Sequence, residues 1–414
     1  MSKFNLSTNH PIIPNAQEYM FETKYLSINS SDINTNKYPN IASFEIELPQ
    51  DYCNVQSISL SSYMLPNNLN TFSKYFRNTT MTFQLNQLYR PTFAYIPSSP
   101  TAPSALLLEA IYEALYYKFN SVEPNFIVTI EDGYYQQDQL GFELTNQFNY
   151  SVSKYIIDYF TENSNAPMLL EFINTGQYTE FIIVLNTVKM IMCFGNKSSG
   201  FILTNDSEIN INIRNGVICT PVVGDISPAN SLFGLSNALG LKPKSYTSIQ
   251  TENLNDVRFF GMLGTTGIWL TPSYNDSAFV YYIYAPNKCN ICDDRYYAYM
   301  DVFGYNSLDE MMPFNTETGH STSGKVNSTF AKLPIYPDGN PPYLNVYYNF
   351  QPIDNIVRVF NPPINRIKRL CFKFKYHNGQ YLNFDGDSFS FTLKFNIFLP
   401  QNAKSMTVFK PEGL

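Results

Sequence analysis

Charge is scarce in this chain. Of its 414 residues only 15% are Asp, Glu, Lys or Arg, against roughly 25% in an average soluble domain. Lys and Arg number 27 and Asp and Glu 34, a formal net charge of −7. So thin a supply of cations argues against general nucleic-acid binding, which neutralises phosphates with Lys and Arg. Cysteine is sparse as well: Cys53, Cys193, Cys219, Cys289, Cys292 and Cys371 are scattered along the chain. That is not the framework of a small disulfide-stapled secreted domain, and a chain of this length needs no such staple. The three histidines, His10, His320 and His377, lack ligand spacing from one another and have no neighbouring acid to orient them as a base. Long apolar runs are missing too. The longest, residues 181–194, is broken by Asn186, Thr187 and Lys189, short of the roughly 18 residues a membrane span needs. Residues 1–15 show no cationic segment followed by an apolar one, so no secretory leader is expected. The expected site of synthesis is therefore a reducing cytosol. Sequons such as Asn78-Thr79-Thr80 and Asn275-Asp276-Ser277 then have no route to a glycosylating lumen.

Aromatics and amides are abundant instead. Tyr occurs 32 times and Phe 33, but Trp once, and Asn, with 46 copies, is the commonest residue. Disordered chains lack aromatics and carry more charge, so this chain folds, and its length allows two or three domains. Most of the patterning has period two, the strand signal. Phe44, Ile46 and Leu48 alternate with Glu45 and Glu47; Ile209, Ile211 and Ile213 with Asn210 and Asn212; Leu370, Phe372, Phe374 and Tyr376 with Cys371, Lys373 and Lys375. Phe389, Phe391, Leu393, Phe395 and Ile397 share one face near the end. Turn chemistry bounds these runs, as at Tyr38-Pro39-Asn40, Leu65-Pro66-Asn67-Asn68, Asn361-Pro362-Pro363 and Asp385-Gly386-Asp387. Half-buried antiparallel sheets packed face to face account for the alternation. The expected fold is mostly β, antiparallel sheets packed as a β-sandwich, one or two of them, with one amphipathic helix at 104–119. In that helix Leu107, Ile111, Ala114 and Leu115 form one stripe and Glu109 and Glu113 another, behind a start at Pro103-Ser104. A short helical piece is expected at 231–239, closed by Gly240. The expected divisions are an arm at 1–23, a β-rich domain with the helix at 24–245, and a second β-rich portion at 246–414.

Several motifs come close to chemistry. Residues 319–326, Gly-His-Ser-Thr-Ser-Gly-Lys-Val, nearly spell a phosphate-binding loop. Val326 lacks the hydroxyl for magnesium, and no strand–loop–helix context surrounds it. Cys289 and Cys292, followed by Asp293 and Asp294, offer two thiolates and a carboxylate to zinc. A structural site wants four ligands, usually from a second paired motif that this chain lacks; two thiols in a β-rich chain are the plainer reading. Gly234-Leu235-Ser236-Asn237-Ala238 approaches a nucleophile elbow but ends in Ala, outside any α/β-hydrolase pattern. Asp385 and Asp387 flank a glycine as a hairpin turn would, and sequence cannot fix the separation a glycosidase pair needs. No catalytic set emerges. The one basic concentration is Arg358, Arg366, Lys368, Arg369, Lys373 and Lys375. Arg366, Arg369, Lys373 and Lys375 form the candidate interaction patch, read either as a docking ridge for an acidic protein surface or anionic membrane or as a solvated outer face that guards a sheet edge.

Two groups of segments carry a family resemblance. The first runs from Tyr25-Leu26-Ser27-Ile28-Asn29-Ser30-Ser31-Asp32 through Tyr38-Pro39-Asn40 to Phe44-Glu45-Ile46-Glu47-Leu48-Pro49, residues 55–60 and Leu65-Pro66-Asn67. The second comprises the helix after Ser104, Leu239-Gly240-Leu241, and residues 358–399 with Pro362-Pro363, Arg366, Leu370-Cys371-Phe372, Asn378-Gly379 and Phe389-Ser390-Phe391. In this order they resemble the virion structural proteins, including minor capsid proteins, of nucleocytoplasmic large DNA viruses. The resemblance implies a jelly-roll building block of an icosahedral shell, with a place in the virion, possible proximity to an internal membrane, and no cofactor or catalytic residue. Its implied partners are the major capsid protein and other minor capsid proteins, in a homo-oligomer or lattice without nucleic acid. A vertex (penton) protein is one form of that role. Composition fits: Tyr gives contact area at modest entropic cost, and Asn and Gln bond without a charge to desolvate. A glycan- or receptor-binding β-sandwich on the virion surface is the second reading and a carbohydrate-active enzyme the third.

Overall fold

The computed structural model describes residues 21–66, 69–87, 103–135, 137–204, 234–242, 244–251, 258–259, 268–272, 279–291, 296–312, 325–335, 348–350, 356–377 and 379–398. The chain begins with β1 (Phe21–Asn29), β2 (Ser43–Leu65), β3 (Thr80–Leu85), α1 (Ala105–Phe119), β4 (Phe126–Thr129), α2 (Gln137–Glu162) and α3 (Ala166–Asn174). It continues with β5 (Phe181–Asn186), β6 (Ile191–Asn196), β7 (Phe201–Leu203), α4 (Leu235–Ala238), β8 (Tyr246–Thr247), β9 (Ile249–Thr251), β10 (Arg258–Phe259), β11 (Ile268–Trp269) and β12 (Val280–Tyr284). Last come β13 (Tyr297–Val302), β14 (Leu308–Met312), β15 (Lys325–Thr329), β16 (Ala331–Pro334), β17 (Tyr348–Phe350), β18 (Val357–Lys375) and β19 (Ser390–Phe398). The described strand pairs are antiparallel, as the period-two patterning predicts.

Two compact units result, and they divide the chain differently from the expected break at 245/246. One unit takes residues 1–69 and 295–414, the other 70–294. The reason is long-range pairing: β1 lies against β19, and β2 against both β18 and β19. The two ends of the chain thus build one sheet, and the middle is inserted between them. The expected arm also shortens. Phe21, Glu22 and Thr23 already pair with Phe398, Ile397 and Asn396 in β1, while residues 1–20 lie outside the described residues, as do Ile209, Ile211 and Ile213.

In the first unit the sheet runs β1-β19-β2-β18-β13-β16, with β17 also on β2. It folds over on itself because its two longest strands are interrupted. Residues 48–51 of β2, including Pro49, stand opposite a single residue, Lys368, so the register jumps between Ile367 and Arg369. Residues 360–363 of β18, with Pro362 and Pro363, make the complementary jump between Val359 and Ile364. Proline cannot donate to a ladder, and extra residues on one strand bend it. The front half of β2 pairs with the back half of β18, while the rest of β2 pairs with the front half of β18 on one side and β19 on the other. The two layers then meet through rings: Phe372–Phe391 at 5.1 Å, Phe374–Phe389 at 4.9 Å and Phe44–Phe389 at 6.2 Å between centroids. This is a β-sandwich made from one folded sheet, with Phe389, Phe391, Leu393, Phe395 and Ile397 all buried inside it.

The second unit has two four-stranded sheets, β5-β6-β12-β9 and β4-β3-β7-β8, around a core shared with helices. Helix α1 occupies the expected place. The Ser104 hydroxyl caps it by accepting from Leu107 N–H at 3.1 Å, and Leu107, Ile111, Ala114 and Leu115 are buried. Helix α4 and its closing Gly240, at φ +82°, also stand where expected. Helices α2 and α3 were not expected. In α2 the buried residues Leu140, Leu144, Phe148, Val152, Ile156 and Phe160 recur every four positions, so the stripe winds about 40° per step around a helix of 3.6 residues per turn. Asn, Thr, Ser and a glycine between them are weak helix formers, and here core burial overrides that propensity.

Candidate interaction face

The basic concentration read from the sequence lies on β18, and the structure sets acids beside it. Arg366 Nη2 is 2.5 Å from Asp51 Oδ2, Lys368 Nζ 3.1 Å from Glu47 Oε1, and Arg369 Nη1 3.6 Å from Glu45 Oε1. All three acids come from β2, the strand hydrogen-bonded to β18. The register jump at Lys368 turns both Lys368 and Arg369 outward between the buried Ile367 and Leu370. Side-chain exposures of 36–62% leave all six charges in contact with solvent. The Lys368 hydrogen bond, then its charge and that of Arg369, hold the Glu47 carboxyl below its ordinary value.

The other two patch residues sit elsewhere on the same strand. Lys375 Nζ turns to Asp301 Oδ2 on β13, 2.5 Å away, in a pair whose carboxylate is only 12% exposed. Lys373 is half-buried and stands opposite Ser43 on one side and Asp301 on the other. Arg366 and Arg369 are therefore brought together with Lys368, and Lys375 is drawn into the sheet. Glu45, Glu47 and Asp51 were missed as partners. Their outward alternation is visible in the sequence, but nothing local ties them to residues more than 300 positions away.

The near-motifs do not assemble chemistry among the described residues. Cys289 is half-buried and its N–H donates to Met190 O at 2.7 Å, while Cys292, Asp293 and Asp294 lie outside the described residues. No group of three His, Cys, Asp or Glu residues close enough to hold a metal occurs among the described residues. Lys325 and Val326 open a strand, β15, where a phosphate-binding loop would need a helix; residues 319–324 lie outside the described residues. The Ser236 hydroxyl is buried without a hydrogen-bond partner, not raised on an exposed elbow. Asp385 and Asp387 belong to a tight turn in which Asp387 N–H donates to Phe384 O at 2.8 Å and Gly386 takes φ +92°.

A small, partly open pocket in the second unit is lined among others by Tyr112, Tyr178, Glu180 and Ser198, with a volume of about 20 Å³. Asn196 organises its wall, donating to Tyr178 Oη at 3.0 Å and accepting from the N–H groups of Ser198 and Ser199 at 3.0 and 2.8 Å. Burial pushes the Tyr112 phenol up to about 12. Space of that size holds one water, whereas substrate sites run to roughly 300 Å³ and more. It is a polar joint in the core.

No protein-family model and no curated protein matches the chain. Among solved structures, the chain aligns with the mavirus penton protein over 90% of its own length and 99% of the other, at 8% identity and a TM-score of 0.36. It aligns with a chain of the Sputnik virophage cryo-EM structure over 91% and 98%, at 12% identity and a TM-score of 0.37. Neither likeness transfers a role to any residue here.

Proposed function

We propose that this chain is a structural component of the capsid of a large icosahedral DNA virus, a minor capsid protein that holds coat capsomers together by protein–protein contacts. One observation carries the reading. Most of the segments that resemble virion structural proteins come from opposite ends of the sequence, yet they are hydrogen-bonded neighbours in one folded sheet; the helix after Ser104 and Leu239-Gly240-Leu241 belong to the second unit. Tyr25 to Asn29 lies on β1, residues 44–49 and 55–60 on the two halves of β2, and residues 358–375 and 390–398 on β18 and β19. Strand segments so far apart in sequence share one sandwich in the order the resemblance implies. The low charge suits a surface meant to be covered. The vertex, or penton, position is the narrower form of this reading, and the virion is its place of work.

The test is copy number in gradient-purified particles, by quantitative mass spectrometry. Five copies at each of twelve vertices makes about 60 and marks a cyclic vertex assembly. A count in the hundreds places the chain in the lattice between capsomers. Absence from particles overturns the reading.

A further inference from the structure

We propose that the paired charges of β2 and β18 form a self-complementary contact between two copies of this chain. The arrangement is segregated by strand: Glu45, Glu47 and Asp51 make one acidic row, and Arg366, Lys368 and Arg369 make the adjoining basic row. The two rows offset each other, and exposed Lys37 adds a cation at the Glu45 end, so the strip carries little net charge but is polar across its width. The basic row spans three residue steps, about 10 Å at strand spacing. A two-fold axis running along the strands lays the acidic row of one copy over the basic row of the other, and the reverse. Every carboxylate then lies between two cations and every cation between two carboxylates, in an isologous contact. A partner of one sign, such as an anionic lipid surface or a nucleic acid, would be attracted by one row and repelled by the other. A second copy is the occupant whose charge matches both.

The strip is small. A standard stable interface covers about 800 Å² per partner, so this contact is weak in solution and gains from being one of several in an assembly. It is also exposed, and charges of this kind are screened over a Debye length of about 10 Å at 0.1 M salt. The inference rests on the shell reading only for where two copies meet; it is tested on the purified full chain.

Sedimentation velocity at about 20 mM and about 300 mM NaCl reads it directly. Wild type is expected to dimerise at the lower salt and to be monomeric at the higher. The triple variants E45K/E47K/D51K and R366E/K368E/R369E are each expected to be monomeric at low salt, with dimerisation weakened at least about tenfold. Mixing them restores a one-to-one complex, because an all-basic strip then meets an all-acidic one. Should either reversal fail to fold, the neutral variant E45Q/E47Q/D51N/R366Q/K368Q/R369Q takes its place and is expected to lose the salt-dependent dimer. A wild type monomeric at low salt overturns the proposal, as do folded variants that still dimerise or a mixture that stays monomeric. A monomer that instead sediments with phosphatidylserine vesicles overturns it in favour of a lipid surface. Monomeric protein that is nonetheless present in particles leaves the shell reading standing and removes only this contact.

Discussion

Asn149 on α2 exchanges two hydrogen bonds with the backbone of Phe181 on β5. Its Nδ2 donates to Phe181 O at 3.0 Å, and Phe181 N–H donates to its Oδ1 at 2.9 Å. One turn earlier the Thr145 hydroxyl accepts from Ile183 N–H at 2.9 Å and lies 3.1 Å from Ile183 O. One turn later Ser153 Oγ accepts from Tyr178 N–H at 3.1 Å. Four helix residues rise about 6 Å and two strand residues about 6.7 Å, so Thr145 and Asn149 keep step with Ile183 and Phe181, and Ser153 reaches Tyr178 three residues before the strand begins. The strand β5 is the edge of its sheet, and α2 completes it as a neighbouring strand would, closing an edge that would otherwise invite pairing. Close approach requires Gly141, where a Cβ would stand 3.2 Å from Ile183 O. Asn149→Ala removes both partners of Phe181 at once and is expected to cost about 2–3 kcal/mol. Urea denaturation measures the loss, and amide exchange at Phe181 and Ile183 locates it. Unchanged exchange there would refute the strand-like role of α2.

This helix also shows where sequence reading stops. The halves of β2, the face of β19 and the capped helix α1 are legible because their burial follows period two or a Ser104-capped stripe within a few residues. In α2 the buried positions follow period four, and the residues that grip β5 and the segment leading into it, Thr145, Asn149 and Ser153, are the ones that lower helix propensity. Their meaning depends on a strand that the chain reaches some 30 residues later. The acidic row is the same case over a longer span. Glu45 and Glu47 read as a solvated face until β18 arrives beside them.

Gly240 closes α4 in a left-handed conformation, and a Cβ there would stand 2.4 Å from Asn287 O and 2.9 Å from Lys288 O. Both obstacles are backbone, and Asn287 N–H is itself held by Gly240 O at 3.2 Å. Gly240→Ala therefore combines left-handed strain with overpacking and is expected to cost about 3 kcal/mol. A fall in urea midpoint at unchanged slope would report it.

Phe389 is fully buried, with the rings of Phe384, Phe374, Phe44 and Phe391 at 4.4, 4.9, 6.2 and 6.4 Å. It sits where the folded sheet closes on itself. Phe389→Ala is expected to cost about 3–5 kcal/mol, and Phe389→Leu roughly half of that. If thermal melting of the alanine variant matched wild type, the face-to-face packing of the two layers would be wrong.

The cysteines separate by environment. Cys193 is buried on β6, and burial pushes its thiol up to about 12, so at pH 8 almost none of it is the reactive thiolate. Cys53 is exposed on β2. Iodoacetamide at pH 8 is expected to modify Cys53 in the native chain and to leave Cys193 untouched until urea unfolds the second unit. Peptide mass spectrometry reads both sites in one digest, and early alkylation of Cys193 would mean that β6 is not a core strand.

The Glu47–Lys368 pair predicts a pH dependence of definite sign. Lys368 holds the Glu47 carboxyl below the ordinary 4.5, so the folded state binds that proton less readily than the unfolded chain. A depressed carboxylate contributes stability that is complete above its unfolded pKa and is lost as pH falls through its folded one. The stability gap between wild type and Glu47→Gln should therefore be flat from pH 8 down to about 5. It should begin to close near the unfolded value of 4.5 and be gone once the pH lies below the lowered folded one. Because the pair is exposed, the gap is small and shrinks with added salt. Lys368→Gln supplies the control: in that background, substituting Glu47 should leave little pH-dependent difference. A gap that widened on acidification would require a raised carboxyl, incompatible with a cation 3.1 Å away.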